Sequence, residues 1–299
     1  MIKHIFSISI VCLFLLTYCA QGRHVNDFRF ATWNSRGARW ADVASFMIEG
    51  NLDVLTVQES GALPDSATAD PNRIVPTHYI GVPPDNYGLF VEEFQWFTNG
   101  GTFHIFYYDR RSRAEEVNSR RDPSRAFNMA IITREQPSLL FLMPMIYPNK
   151  TQMPPSDPDY FINRPIIGVQ LGDAAFFNLH AAPTNTDNEA VAVIEIIQDY
   201  MHDHFSALTW AVTGDFNRAP QTVTPPRRTF TDLLSSGEKT HPSAGHGRSA
   251  ELDYGYWGGP TGRRRVPFGN IMLLSEHLRA TGRHYAGCRS DHLPVIFFQ

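Results

Sequence analysis

The sequence predicts an α/β fold of two mixed β-sheets that pack face to face, with helices on their outer surfaces. Short apolar runs of the length of buried strands recur from one end of the chain to the other. Few helical patterns lie between these runs, whereas a doubly wound parallel fold needs a regular alternation. Hydrophobic residues make up 42% of the chain and charged residues 19%, which supplies a large core and excludes a disordered protein.

Eight of the apolar runs are predicted as strands, and two segments between them as helices. The helix predicted over 187–204 follows Thr186, with Glu189 three residues further on, which is the pattern of a capping box. A second helix is predicted over 39–49. The predicted strands are 28–33, 53–57, 102–108, 127–133, 166–170, 174–179, 209–213 and 294–298.

The first residues of the chain are typical of a secretory signal peptide, predicted over 1–22. Lys3 precedes an apolar run at 5–16, and small residues follow. This run is too short to span a bilayer, so no obligate membrane span is expected and the protein is predicted to be secreted. No linker interrupts the remaining chain, which is predicted to be a single domain over 23–299.

Of the three cysteines, only Cys288 would remain after removal of this peptide. The mature chain therefore cannot form an internal disulfide, and its stability is expected to come from the hydrophobic core. Cys288 is interpreted either as a buried thiol or as the partner of a cysteine in another chain.

The cations of the chain are mostly arginine, although the net charge of −4 does not indicate a nucleic-acid-binding protein. Only three of the 26 basic residues are lysine, and arginines cluster at 110–125 and 263–265. A guanidinium group binds two phosphate oxygens at once, so these clusters are interpreted either as a phosphate-binding surface or as solvated faces with ion pairs. The sequence has no glycine-rich dinucleotide loop and no Gly-Lys-Ser/Thr phosphate loop, which excludes those nucleotide chemistries.

Polar residues stand at the ends of predicted strands, or directly before them, at six places. Taken singly, each has an ordinary structural explanation: a turn cap, a surface acid or a buried core histidine. Their combination indicates one active site, and we expect them to converge at one end of the sandwich. The six places are Trp33-Asn34, Gln58-Glu59, Leu179-His180, Gly214-Asp215-Phe216-Asn217, Leu252-Asp253-Tyr254 and Ser290-Asp291-His292.

These residue types suit the hydrolysis of a phosphodiester. Attack by water needs a base, an acid for the leaving oxygen, and positive charge near the phosphoryl oxygens. Two histidines paired with carboxylates can provide the base and the acid. A hard cation held by carboxylate and amide oxygens can provide the charge. Because the sequence has no cluster of thiolates and no zinc-type histidine spacing, Mg²⁺ or Mn²⁺ is predicted.

Several motifs resemble those of the DNase I-like endonuclease/exonuclease/phosphatase superfamily. They are Trp33-Asn34, Gln58-Glu59, Gly214-Asp215-Phe216-Asn217 and Ser290-Asp291-His292-Leu293-Pro294-Val295. The segments 125–132 (RAFNMAII), 164–168 (RPIIG) and 214–220 (GDFNRAP) are similar to segments of the cytolethal distending toxin B subunits, a family within that superfamily. The likeness extends from about Phe28 to Phe298, and it implies the DNase I-like four-layer sandwich, in which helices flank two packed mixed sheets.

The resemblance also implies roles for individual residues. His292 would activate water with Asp253 as its orienting carboxylate, and His180 would protonate the leaving oxygen. Asp215 and Asn217 would bind the phosphate or its metal and steer the substrate. The implied cofactor is Mg²⁺, with Mn²⁺ or Ca²⁺ able to substitute or assist. The implied metal ligands are Glu59, Asp291 and Asn34, and the implied ligands of the substrate phosphate are Arg125, Asn128 and Asn34.

Three features depart from the family pattern. Ser35 and Arg36 stand where the family has leucine and glutamine, which alters the site beside Asn34. No carboxylate can be assigned to orient His180, because the strand predicted over 102–108 offers none. The segment that follows His180 lacks the glycines that are usual in the toxins.

The sequence therefore predicts a secreted toxin nuclease that hydrolyses DNA in a target cell and can act in its nucleus. A phosphatidylinositol 3,4,5-trisphosphate phosphatase is the alternative, because the same groups serve either ester. Sphingomyelin hydrolysis and a non-catalytic phosphate-binding module are weaker hypotheses. The expected substrate is DNA or a phosphoinositide. The resemblance to the toxin B subunits also implies separate toxin subunits for receptor binding and delivery.

Overall fold

A computed structural model describes residues 22–37, 39–69, 75–80, 91–108, 128–143, 164–181, 189–224, 231–242, 249–260, 269–283 and 290–299. Nearly all of the predicted signal peptide, both arginine clusters and Cys288 lie outside these residues. Within the described ranges, no helix has both the length and the apolar character that crossing a bilayer requires.

The first of two mixed sheets has eight strands. In order across the sheet they are β14 (Asn270–Leu273), β15 (Val295–Phe298), β1 (Phe30–Asn34), β2 (Val54–Gln58), β7 (Met129–Thr133), β6 (Gly101–Tyr108), β5 (Glu92–Thr98) and β3 (Ala67–Ala69). Strands β1 and β2 are parallel, with Asn34 opposite Gln58. The other neighbours are antiparallel, so the residues that precede β15 lie beside the end of β1.

The second sheet has seven strands. In order they are β12 (Thr231–Leu234), β13 (Asp253–Gly258), β11 (Thr209–Asp215), β10 (Ala174–His180), β9 (Ile166–Leu171), β8 (Leu139–Met143) and β4 (Thr77–Tyr79). Strands β10 and β11 are parallel, with His180 opposite Asp215. Strand β13 runs antiparallel to β11, and this register places Asp253 opposite Asp215.

Three α-helices lie in the described residues: α1 (Trp40–Glu49), α2 (Glu189–His204) and α3 (Leu274–Ala280). Single 3-10 turns occur at Val25–Asp27 and Pro220–Thr222. Helices α1 and α3 bury their apolar faces in one cluster with the outer face of the first sheet. Helix α2 does the same on the outer face of the second sheet.

The core between the sheets is formed by side chains from both inner faces. Phe30 and Phe106 of the first sheet belong to one cluster with Leu140 and Phe176 of the second. Alternate residues of the same strands, such as Phe177, point outward to the helices, as the two-residue period of a strand requires. The layer order is helices, sheet, sheet, helix, and the predicted four-layer sandwich is confirmed.

Each predicted strand and helix corresponds to an observed element whose described ends lie within two residues of the prediction. The strand predicted over 53–57, for example, is Val54–Gln58. The structure also contains strands outside the predicted set. Among these, β3 and β4 have only three residues, which is too few to show an alternating pattern.

Candidate active site

Polar side chains from both sheets meet at one end of the sandwich. In β10, Phe176 lies in the core between the sheets, so Asn178 and His180 face the same interior space. In four other strands, the last or the first residue also faces this interior space. Because parallel strands end at the same edge of a sheet, these side chains are neighbours. The residues at these strand ends are Asn34, Gln58, His180, Asp215 and Asp253.

The amide of Asn34 links two carboxylates that come from different sheets. Its Nδ2 lies 3.2 Å from Oε1 of Glu59, which follows β2, and 3.0 Å from Oδ2 of Asp215 in β11. Its Oδ1 accepts a hydrogen bond from the backbone N–H of Arg36 at 3.1 Å. Asn34 therefore holds the two acidic side chains at the interface of the sheets.

The two histidines face the same carboxylate oxygen. Nε2 of His180 lies 3.7 Å from Oδ2 of Asp215, and Nε2 of His292 lies 3.8 Å from that oxygen. His180 also has Oε1 of Glu59 at 3.6 Å from Nε2. Both rings are buried. No carboxylate could be assigned to His180 from the sequence, and the structure places two beside its Nε2.

The orientation of His292 is determined by its other ring nitrogen. Nδ1 of His292 lies 2.7 Å from Oδ2 of Asp253, which is fully buried. Asp253 is itself held by the hydrogen bond that its backbone N–H donates to Oγ1 of Thr240 at 2.9 Å. The indole N–H of Trp33 donates to the carbonyl oxygen of His292 at 3.1 Å. These contacts leave Nε2 as the nitrogen that faces the cluster, as in a His–Asp catalytic pair.

The turns that carry the site adopt unusual backbone conformations. Arg36, Glu59 and Asn217 have φ angles of 51°, 50° and 52°. This left-handed region is disfavoured for side chains such as those of arginine and glutamate, and such residues cluster at functional sites. Ser35 stabilises two of the turns, because its hydroxyl lies within hydrogen-bond distance of the carbonyl oxygens of Gln58 and Glu59.

The two histidines have pKa values shifted in opposite directions. Burial, followed by the charges of Arg164 and His292, holds the pKa of His180 well below its usual range. Burial lowers the pKa of His292 too, but the charge and hydrogen bond of Asp253 and the charges of nearby carboxylates outweigh it and raise the pKa to about 9. In the cation-free protein His292 thus holds a proton at neutral pH, and it must lose this proton before it can act as a base.

Burial and mutual repulsion disfavour the ionised form of Asp215 in the cluster. Burial and the neighbouring Asp253 raise the pKa of Asp215 to about 7. Oδ1 of Asp253 is buried, and none of the described residues forms a hydrogen bond with it. A divalent cation beside these oxygens would favour ionised Asp215 and neutral His292, because positive charge lowers the pKa of each group. Asp215, Asp253 and His292 offer ligand atoms within 4.8 Å of one another, so this buried cluster could bind a metal ion.

Asn217 lies at the edge of the cluster. Its backbone N–H donates to Oδ1 of Asp215 at 2.8 Å, and its Nδ2 donates to the carbonyl oxygen of Ala181 at 2.7 Å. Nη1 of Arg164 donates to the same carbonyl at 2.6 Å. Asn217 therefore ties the turn after β11 to the residue after β10, and Arg164 ties that residue to the segment before β9.

Asn128 is fully buried, behind the turn that carries Glu59. Its Nδ2 donates to the carbonyl oxygen of Gly61 at 3.1 Å and lies 2.5 Å from the hydroxyl of Tyr107. Its backbone carbonyl oxygen accepts a hydrogen bond from the backbone N–H of Ser60 at 2.9 Å. In this structure Asn128 supports the turn, and its phosphate-binding role stays a prediction. Arg125, the other predicted phosphate ligand, lies outside the described residues.

Asp291 lies beside His292, and its carboxylate contacts a different set of groups. Its Oδ2 lies 2.8 Å from Nη1 of Arg36 and 3.6 Å from Nε2 of His241. Arg36 departs from the family motif and is therefore visible in the sequence, whereas His241 lies in no motif. No local pattern could have identified His241, because an isolated bridge with Ala250 brings it to the site.

Comparison with known proteins identifies the family of the chain. The model of the endonuclease/exonuclease/phosphatase family matches residues 31–292. The chain belongs to this family. The acidic, amide and histidine side chains that meet between the two sheets all lie within the matched residues.

Over nearly its whole length, this family member is similar to the B subunit of cytolethal distending toxin. It is 26% identical to the subunit of Escherichia coli, covering 94% of each chain, and 26% identical to a homolog from Salmonella typhi, covering 90% of this chain and 92% of that one. The crystal structure of the toxin from Actinobacillus actinomycetemcomitans matches with a TM-score of 0.68 and 25% identity, over 92% of this chain and 99% of that chain. The predicted resemblance is thus confirmed.

Proposed function

We propose that the protein is a secreted, toxin-type, divalent-cation-dependent endodeoxyribonuclease that hydrolyses phosphodiester bonds of DNA in a target cell. One observation carries the proposal: two buried histidines from different parts of the chain direct Nε2 at the same oxygen of Asp215, at 3.7 Å and 3.8 Å. Two imidazoles around one acidic centre are what a water-mediated displacement needs for its two proton transfers. Similarity to the B subunit of cytolethal distending toxin supports the choice of function.

In this proposal the histidines divide the proton transfers. His292 accepts a proton from the attacking water at Nε2, while Asp253 stabilises the resulting imidazolium through Nδ1. His180 donates a proton to the leaving oxygen. Because its pKa is low in the free protein, it must first gain this proton from solvent, and the negative charge of a bound substrate phosphate would favour that step. Asp215 and Asn217 orient the phosphate or its cation, and the bond from the N–H of Asn217 keeps the Asp215 carboxylate in place.

Three residues around the acidic cluster would hold the cation. Glu59, Asp291 and Asn34 are the proposed ligands of Mg²⁺, for which Mn²⁺ or Ca²⁺ could substitute, and oxygen donors of this kind suit hard cations. When bound, such an ion offsets negative charge on the phosphoryl oxygens. Arg125, Asn128 and Asn34 are the proposed ligands of the substrate phosphate, a role for which the planar guanidinium of Arg125 is suited.

The proposal also covers the secretion of the protein and its delivery to the target cell. We propose that residues 1–22 are a signal peptide and that 23–299 form the mature single-domain nuclease. Since its relatives are named as subunits of a toxin, separate subunits are proposed to deliver it. Action in the nucleus of the target cell follows from the choice of DNA as substrate.

Plasmid nicking by the purified mature protein tests the function. We expect nicking in Mg²⁺, none after chelation, and loss of nicking with retained DNA binding in the His292→Ala variant. Phosphate release from phosphatidylinositol 3,4,5-trisphosphate is measured beside it. Phosphate release without nicking would show that the protein is a lipid phosphatase and not a nuclease. Full activity of His292→Ala would refute the hydrolytic mechanism.

A further inference from the structure

We propose that His241, Asp291 and His292 form a binding site for a transition-metal ion of the Zn²⁺ type, and that an ion bound there inhibits the enzyme. The three side chains offer ligand atoms within 4.8 Å of one another. The binding site stands on this geometry alone. Inhibition rests on the proposed function, because it needs a hydrolytic reaction to inhibit.

The chain segments that carry the three ligands are tied to one another. The backbone N–H of His241 donates to the carbonyl oxygen of Ala250 at 3.0 Å, and the N–H of Ala250 donates back at 3.2 Å. The N–H of Leu293 donates to the carbonyl oxygen of Thr240 at 2.7 Å. The residues next to His241 and His292 are therefore hydrogen-bonded to each other, and the ligands need little ordering before they bind an ion.

The geometry around the ring nitrogens favours metal ligation. Nε2 of His241 lies 3.6 Å from Oδ2 of Asp291, and the rings of His241 and His292 have centroids 4.7 Å apart. Nδ1 of His292 pairs with Asp253 at 2.7 Å, so an ion bound here would contact Nε2, which also lies 3.8 Å from Oδ2 of Asp215. Metal-ligating histidines commonly bond a carboxylate through their other nitrogen.

The site is open to ions from solution. The side chains of His241 and Asp291 are 26% and 34% exposed, whereas His292 is nearly enclosed. An ion can therefore reach the first two ligands directly and then contact His292 from the solvent side.

This site shares Asp291 with the proposed Mg²⁺ site, but its other two donors are nitrogens. Two imidazole nitrogens and one carboxylate oxygen suit Zn²⁺, while Mg²⁺ prefers oxygen ligands and retains its water. An ion here would occupy Nε2 of His292, the atom that is proposed to accept the proton of the attacking water. Zn²⁺ would thus block the base and also compete with Mg²⁺ for Asp291.

Arg36 opposes such an ion, because its Nη1 lies 2.8 Å from Oδ2 of Asp291. A metal that binds Asp291 must share the carboxylate with this guanidinium or displace it. Removing the positive charge in an Arg36→Gln variant should therefore strengthen Zn²⁺ binding.

Calorimetric titration of chelator-stripped protein with Zn²⁺, without nucleic acid, tests the site. We expect one ion to bind per chain, with an affinity that falls by more than about tenfold in His241→Gln and in Asp291→Asn. His202→Gln is the matched control, because His202 is exposed on α2. Tighter binding by Arg36→Gln would support the proposal. Equal affinity of wild type and His241→Gln, or no stoichiometric binding at all, would overturn it.

Inhibition is measured separately, as Mg²⁺-supported plasmid nicking with added Zn²⁺. Each protein is compared with its own rate in Mg²⁺ alone: added Zn²⁺ should stop nicking by the wild type and leave the rate of His241→Gln nearly unchanged at the same Zn²⁺ concentration. Equal sensitivity of the two proteins would exclude inhibition through this site. If neither protein nicks DNA in Mg²⁺, the proposed function fails, while the calorimetric result on the metal site stands.

Discussion

The imidazole of His292 owes its raised pKa mainly to one short contact. The 2.7 Å pairing of Nδ1 with Asp253 places a buried carboxylate against the ring and outweighs the effect of burial. The same contact determines which nitrogen faces Asp215. A single residue therefore controls both the charge and the orientation of the proposed base.

Asp253→Asn tests this control. The substitution keeps the size of the side chain but removes its charge, so the pKa of His292 should fall below its value of about 9. Hydrolysis of DNA should fall by about 10²- to 10⁴-fold, as expected when a histidine loses its carboxylate partner. NMR titration of the His292 ring in the cation-free protein and plasmid nicking rates measure the two effects. Asp203→Asn, on the exposed side of α2, serves as the control, and an unchanged pKa in Asp253→Asn would contradict the argument.

At the scale of elements, buried amides connect the strands that carry the site. Nδ2 of Asn178 in β10 donates to the carbonyl oxygens of Val57 and Ala130 in the other sheet, at 3.0 Å and 2.9 Å. Its Oδ1 accepts from Nε2 of Gln58 at 2.7 Å. These bonds join the strand that ends at His180 to the strand that precedes Glu59. These bonds between the sheets therefore determine the distance between His180 and Glu59.

Asn178→Ala should destabilise the protein by about 2–4 kcal/mol, because it leaves two carbonyl oxygens and the amide of Gln58 buried without this partner. The free energy of unfolding in urea measures the loss. Asn99→Ala, in the exposed turn between β5 and β6, should change that free energy by less than about 0.5 kcal/mol. Equal stabilities of the two variants would show that the buried amide bonds contribute nothing.

Helix α3 contains a histidine that makes stability depend on pH. His277 is buried, and its ring packs edge-on against Phe298 with centroids 4.7 Å apart. Burial, followed by the charges of Arg29 and Arg283, lowers its pKa in the folded state. As the pH falls below about 6.5, the unfolded chain therefore binds the proton at His277 before the folded chain does, and the contribution of His277 lowers the stability.

His292 and Asp215, whose pKa values are raised, contribute to the pH dependence with the opposite sign, but equally in the wild type and in His277→Gln. We therefore expect the free energy of unfolding of the wild type to fall more, or to rise less, than that of His277→Gln as the pH is lowered over the window from about 7.5 to about 5.5. Above it, both proteins should show the same dependence on pH, because His277 is neutral in both states. Urea unfolding at several pH values measures this difference. His202→Gln, exposed on α2, should retain the wild-type dependence, and a steeper decrease in His277→Gln would reverse the assigned sign.

At the scale of the whole molecule, the site exists only where the two sheets meet. Glu59 and Asn34 belong to the first sheet, and His180 and Asp215 to the second. The carboxylates face each other only after the sheets have packed. Any cation that binds them must therefore bind the folded state in preference to the unfolded chain.

Mg²⁺ should accordingly stabilise the protein, by about 2.7 kcal/mol at a concentration 100 times its dissociation constant. The midpoint of thermal unfolding should rise with the Mg²⁺ concentration in the wild type and much less in Glu59→Gln. Glu276→Gln, exposed on α3, is the control that should retain the wild-type rise. The same rise in Glu59→Gln as in the wild type would exclude Glu59 as a ligand.

The sequence by itself determined the fold class and the location of the strands that hold the site. Buried strands are short apolar runs, and their pattern is local, so the predicted 174–179 and the observed Ala174–His180 nearly coincide. The motifs at 214–217 and 290–292 likewise carry the family resemblance in contiguous residues, which a sequence displays directly.

Only the tertiary structure decided which of these residues meet. The registers that place Asp215 opposite both His180 and Asp253 are set by contacts between strands that are distant in the chain. The position of His241 beside Asp291 and the bonds of Asn178 across the sandwich depend on the packing of separate elements. Local sequence patterns do not encode such long-range contacts, because each one follows from how complete sheets pair and pack.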